Sequence, residues 1–137
     1  MTGLAEDLLA IQNVKARYCA AADLAAADPA GARAMFATIF TADFRGDYGV
    51  GPLAGPEAIV DFLCAGIASS SEWMLHMIHT PDIRIEGDSA EAIWTVMAVM
   101  QRRNGGPRDT VLGRYADTMH RTPDGWRIAR LRFSRVA

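Results

Sequence analysis

Very little in this sequence advertises chemistry. Its 137 residues hold two cysteines and three histidines, and aromatic side chains make up only 8% of the chain. Cys19 and Cys64 lie in apolar, helix-like surroundings without the paired spacing of a metal site, so both are expected to be reduced core residues of a cytoplasmic protein. No HxH, HxxxH or Cys/His cluster occurs, and no metal is assigned. GxSxG, P-loop and GxGxxG motifs are absent, and "GVGPLAG" lacks the strand-then-helix context they need, which weighs against serine-hydrolase and nucleotide-dependent chemistry. No cofactor is expected. The formal net charge of −2 gives no electrostatic case for nucleic acid. No apolar run approaches the ~20 residues that span a bilayer, and the N-terminus lacks the features of a signal peptide, so no membrane partner is expected.

What is present fits a soluble globule: half the residues are hydrophobic and 22% are charged. A chain of this length reads as a single domain over residues 1–137, able to bury roughly two-thirds of its unfolded surface. Leu4, Leu8, Ile11, Val14, Tyr18 and Ala22 recur at three- and four-residue spacing, predicting a helix over 4–27 with Thr2 as its cap and Glu6 and Asp7 in its first turns. Pro29 should end it. A second helix, about 30–39, is expected to bury Ala34, Met35 and Phe36. "GPEAIVDFLCAGI" opens a third, with Pro56 at its first helical position.

After residue 72 the hydrophobic period changes from 3.6 to 2. "DIRIEGDSAEAIWTVMAVMQRR" reads as strand, turn at Gly87-Asp88, strand; "TVLGRYADTMHR" and "GWRIARLRFSRV" are two more. "FRGDYG" is a short strand between the second and third helices. The order describes an α+β domain, with three helices and a mostly antiparallel sheet curling around the first of them. In the last strand Trp126 and Ile128 share one parity while Ala129, Leu131 and Phe133 share the other, which predicts a bulge near 128–129. Arg114, Arg127, Arg130, Arg132 and Arg135 read as a solvated face with one or two pocket residues. The strand from Ala92 to Met100 is apolar on both faces, so a homodimer through the outer sheet face is expected, a covering helix being the alternative.

Two features are out of place in this pattern. "WMLHMIHTPDI" sets His76 and His79 into an apolar run, on opposite faces by strand parity. In "CAAADLAAAD", Asp23 lies near the C-terminal end of the first helix, where the dipole disfavours a carboxylate. The plain reading makes Asp23 a surface residue and the histidines structural. The functional reading has Asp23 orient a sheet histidine, whose other ring nitrogen then takes a proton. Tyr18, on the same helix, offers a phenol to a cavity between helix and sheet, and Tyr115 and Asp117 share a parity that could line it. Phe36, Phe62, Met74, Trp94 and Met97 are candidate walls around a hydrophobic small-molecule ligand, and His79 is a second lining residue or a structural one.

"AIQNVKARYCAAAD", "HMIHTPDI" and "YADTMHRTPDGWRIARLRF" together resemble the SnoaL-like branch of the nuclear transport factor 2-like superfamily, over nearly the whole chain. The resemblance implies a cone-shaped α+β barrel with a deep apolar pocket, usually dimeric. Within the superfamily it is nearest to cofactor-free lyases and isomerases, among them scytalone dehydratase, bile acid 7α-dehydratase and hexachlorocyclohexane dehydrochlorinase. Those enzymes pair an aspartate late in the first helix with a histidine opening the first long strand, which match Asp23 and His76 here; Tyr18 matches a tyrosine five residues before the aspartate. Where many relatives carry a further histidine, this chain reads "RYADTM", which leaves a single Asp-His dyad. The resemblance implies a general base at His76, with Tyr18 and Tyr115 as donors. A binding or dimerisation module of the same fold is the alternative, and a hydrolase with Asp117 as base a third.

Overall fold

The computed structural model describes residues 3–137. Helix α1 (Leu4–Leu24) buries Ile11, Val14, Tyr18 and Ala22, the expected stripe, together with Lys15. Leu4 is exposed instead, and the inward position of the first turns belongs to Asp7, which accepts two hydrogen bonds from Arg121 (2.7 and 2.8 Å) and one from the Trp126 indole (3.2 Å). Gly3 is the N-cap; Thr2, the expected cap, lies outside the described residues. The helix ends three residues earlier than expected, and α2 (Pro29–Phe36) starts at Pro29 itself, where Asp28 caps it by accepting from the Gly31 amide (2.9 Å). Helix α2 turns Ala32 and Phe36 inward; Ala34 is exposed and Met35 half-buried.

Helix α3 (Pro56–Asp61) begins at Pro56 as predicted but continues as a π-helical turn over Phe62–Ile67. A π turn brings Phe62 and Ile67, five residues apart, onto one face, where an α turn would set them about 140° apart.

Seven strands form one sheet. In chain order they are β1 (Phe40–Asp47), β2 (Pro52–Ala54), β3 (Ser71–Ile78), β4 (Asp82–Glu86), β5 (Ser89–Arg102), β6 (Arg108–Thr122) and β7 (Gly125–Arg135). They run in the order β2-β1-β7-β6-β5-β3, with β4 beside β3 on the same edge of β5. The β1–β7 pairing is parallel and the others are antiparallel. The sheet is curved but does not close into the expected barrel, because β2 and β3 end it as free edges.

Parity on β5 is set by Ala90, Ala92, Trp94, Val96, Ala98 and Met100, all buried beneath the helices. Turn residue Gly87, at φ 61°, makes the tight β4–β5 hairpin that this register needs. The predicted bulge on β7 is present: Thr118 pairs with Arg130 and Met119 with Ile128, so Ala129 is the extra residue. Among the described residues no helix is long and apolar enough to cross a membrane, and no three metal-ligating side chains cluster. Cys19 and Cys64 are buried and unpaired.

Candidate active site

Helix α1 packs across β3 and β7, which carries Asp23 at its C-terminal end to the middle of β3. There Asp23 Oδ1 accepts two hydrogen bonds from one residue, the backbone N–H of His76 (2.9 Å) and its Nδ1 (2.6 Å). These donors answer the unfavourable helix-dipole position of the carboxylate. They also select the tautomer with its proton on Nδ1, leaving Nε2 with a lone pair and no protein partner among the described residues.

His76 lines a cavity of about 290 Å³ between the π turn and the sheet. Phe62, Leu63 and Ile67 form one wall, and Met74, Val96, Ala98, Met100 and Val111 form the sheet side. Tyr48, Tyr115 and Phe133 close the far side, and Arg102 and Arg135 complete the lining. Gly113 is required here, because a Cβ would lie 2.5 Å from the Ser134 carbonyl and 2.7 Å from the Phe133 ring. With no side chain at that position, the Phe133 ring lies over the β6 backbone and faces Tyr48 and Tyr115.

The three tyrosines form one cluster. The hydroxyls of Tyr18 and Tyr48 are hydrogen-bonded to each other, and the rings of Tyr18 and Tyr115 meet edge to face at 5.7 Å. Burial pushes all three phenols above their usual range; proximity to the other tyrosines adds to this for Tyr18 and Tyr48, and the Cys19 thiol does so for Tyr115. They therefore keep their protons at any ordinary pH. Beneath them Lys15 and Asp117, both fully buried, form an ion pair at 2.8 Å. The Lys15 ammonium lies 3.7 Å from the Tyr115 ring centroid and 4.4 Å from that of Tyr18. Burial raises the Asp117 pKa, while Lys15 and the Trp94 indole act the other way. Burial likewise pushes the Cys19 thiol up to about 11, against the pull of Lys15.

Of the residues singled out from the sequence, His76, Tyr115, Phe62 and Met74 line the cavity, and Asp23 stands directly behind His76. Tyr18 does not line it, but reaches it through the Tyr48 hydroxyl. Asp117 is engaged by Lys15 outside the lining, which removes it as the base of a hydrolase. Phe36 packs on Tyr18 and Phe40 in the core, because α2 lies against α1 and not over the cavity. Trp94 is buried on the core side of β5. Met97 has the opposite parity and pairs with Met77 and Leu112 on the outer sheet face. His79 is exposed, since β3 ends at Ile78, and its amide donates to the Thr95 carbonyl (2.8 Å).

Sequence reasoning missed Tyr48 and Lys15, yet both left a signal. Tyr48 continues the inward alternation Phe44, Gly46, Tyr48 of the strand already recognised. Lys15 lies four residues after Ile11 and three before Tyr18, within the buried stripe of α1.

No curated protein matches the sequence. Among solved structures, a nuclear transport factor 2-like superfamily protein from Salmonella enterica serovar Typhimurium superposes with a TM-score of 0.87 at 21% identity, over 98% of this chain and 94% of that one. A Novosphingobium aromaticivorans protein provisionally named an aromatic ring hydroxylase gives 0.85 at 26% identity, over 99% and 93%. The type-3 LinA hexachlorocyclohexane dehydrochlorinase of Novosphingobium barchaimii gives 0.84 at 16%, over 97% and 88%. The SnoaL-like domain profile matches residues 4–132. With its three helices on a curved mixed sheet and a match over nearly all of its length, the chain belongs to the SnoaL-like domain family, on the nuclear transport factor 2-like fold.

Proposed function

We propose that the chain is a cofactor-independent lyase or isomerase acting on a hydrophobic, cyclic small molecule. The observation that carries this reading is the Asp23–His76 pair, whose imidazole lines a largely apolar cavity with Nε2 unengaged. In an elimination, Nε2 takes a proton from the carbon next to the one bearing the leaving group. The C–H electron pair becomes the new C=C bond, and the leaving group departs with the electrons of its own bond. A departing oxygen accepts a hydrogen bond from Tyr48 or Tyr115 and a proton from the imidazolium, which restores neutral His76. In an isomerisation the same phenols stabilise an enolate, and the imidazolium returns its proton to a different carbon. Asp23 stabilises the imidazolium in both cases. That one solved relative is named a dehydrochlorinase supports elimination at the level of the fold.

The test uses cyclic hydroxy ketones and halocycles, with formation of the new double bond followed by absorbance. His76→Ala should lower turnover by about 10²–10⁴-fold. Asp23→Asn keeps an oxygen for the His76 amide and removes only the charge, so it should lower the rate without loss of folding by circular dichroism. Ligand binding without turnover in the wild type, or variants as active as the wild type, would leave a binding module as the better reading.

The outer face of the sheet supports a second proposal, a homodimer. Trp73, Leu75, Ile93 and Leu112 are exposed there, with Ile93 at 50% and Leu75 at 49%, and Met77, Met97 and Val99 lie between them. A contiguous apolar face of this kind is covered in stable proteins. Sedimentation should give twice the monomer mass at micromolar concentration, and Leu112→Asp should halve it. A wild-type monomer would refute the dimer.

A further inference from the structure

Three residues that line the cavity can carry positive charge, His76, Arg102 and Arg135, and no carboxylate lines it. The two arginines differ in their surroundings. Arg102 is already compensated: its Nε donates to Asp109 Oδ2 (2.7 Å), and its Nη1 donates to the hydroxyls of Ser70 (3.0 Å) and Ser71 (3.2 Å). Arg135 has no ion-pair or side-chain hydrogen-bond partner among the described residues.

Its position is a consequence of the β7 bulge. Before Ala129, even-numbered residues face inward (Trp126, Ile128); after it, odd-numbered ones do (Leu131, Phe133, Arg135). Arg130 and Arg132 therefore face solvent, and Arg135 lies on the cavity side of the strand. Gly113 pairs with Arg135 across β6, and the Phe133 ring, not a side chain of β6, fills the space beside it.

We infer that the cavity takes a small carboxylic acid: its apolar ring lies between His76 and the tyrosines, and its single carboxylate is held at the rim by Arg135. The fate of the ring rests on the lyase or isomerase reading; the charge preference does not. One unpaired guanidinium beside one neutralised by Asp109 leaves a single net positive charge, which matches a monoanion. A phosphate dianion would carry one charge more than the single unpaired guanidinium compensates. Held by its acid group, the ring lies in the cavity that His76, Tyr48 and Tyr115 line, the side chains that the elimination uses.

The probes are naphthoate, its neutral amide and naphthyl phosphate, with affinities measured by calorimetry. The wild type should bind naphthoate about tenfold more tightly than the amide, as a charge-assisted hydrogen bond supplies. The gap should narrow as salt is added. Arg135→Gln, at an exposed side chain, should close the gap by weakening the acid alone. His76→Ala should keep the gap while losing turnover, so that failure of the charge reading and failure of the lyase reading are told apart. Equal binding of acid and amide, binding of neither, or a gap unchanged in Arg135→Gln would overturn the inference. Tighter binding of naphthyl phosphate than of naphthoate would overturn the carboxylate assignment.

Discussion

Lys15 carries a charge to a place that water does not reach. Both it and Asp117 are wholly buried, and their contact at 2.8 Å is the only ion pair of either among the described residues. Taking two ions out of water costs several kcal/mol each, so such a pair adds little net stability, yet losing one member strands the other. Lys15→Met should therefore destabilise by about 3–5 kcal/mol in urea unfolding, and Lys15→Met with Asp117→Leu should recover most of that. Single variants within about 0.5 kcal/mol of wild type would show the pair to be energetically idle. What the pair contributes to the site is position. The ammonium is flanked by the rings of Tyr18 and Tyr115, so Tyr115 at the cavity and Tyr18, which bonds to Tyr48 behind it, stand on a fixed cation and not on a compressible apolar floor.

At the scale of elements, legibility followed how local each structure is. The β4–β5 hairpin, the shared parity of Tyr115, Asp117 and Met119 on β6, and a bulge near 128–129 were readable, because alternation and a Gly-Asp turn are written in adjacent residues; the inner face of β5 was not, since both its faces are apolar. The parallel β1–β7 pairing was not, since it joins segments more than half the chain apart and leaves no periodic mark in either. Nor was the π turn, where "FLCAGI" satisfies α-helical spacing and only packing against the cavity decides otherwise. The same division explains the site. Asp23 and His76 stood out because each is unlikely in its own element, and Tyr115 because its parity was clear. Phe36 and Met97 were misplaced because apolar character does not say which of two faces, or which of two neighbours, a side chain meets. The open sheet is likewise a long-range property: whether β2 and β3 meet is decided by curvature accumulated over the strands between them.

The whole molecule holds three tyrosines, and all three are in the one cluster beside the cavity. Burial raises each phenol pKa in the folded state, so above about pH 10 the unfolded chain releases protons that the folded chain still holds. The unfolded state then binds fewer protons than the native one, and stability must fall as pH rises through that window. Below it the tyrosines contribute nothing to the pH dependence. An alkaline titration followed by tyrosinate absorbance should thus show no native titration step near pH 10; all three phenols should ionise together, at the pH where circular dichroism reports unfolding. One tyrosine ionising reversibly in the folded protein would mean that water reaches the cluster, and Tyr48, at the cavity wall, would be the one to suspect. The outcome bears directly on mechanism. Phenols that cannot ionise while the protein is folded cannot act as bases, so the proposed elimination would then have to run through His76.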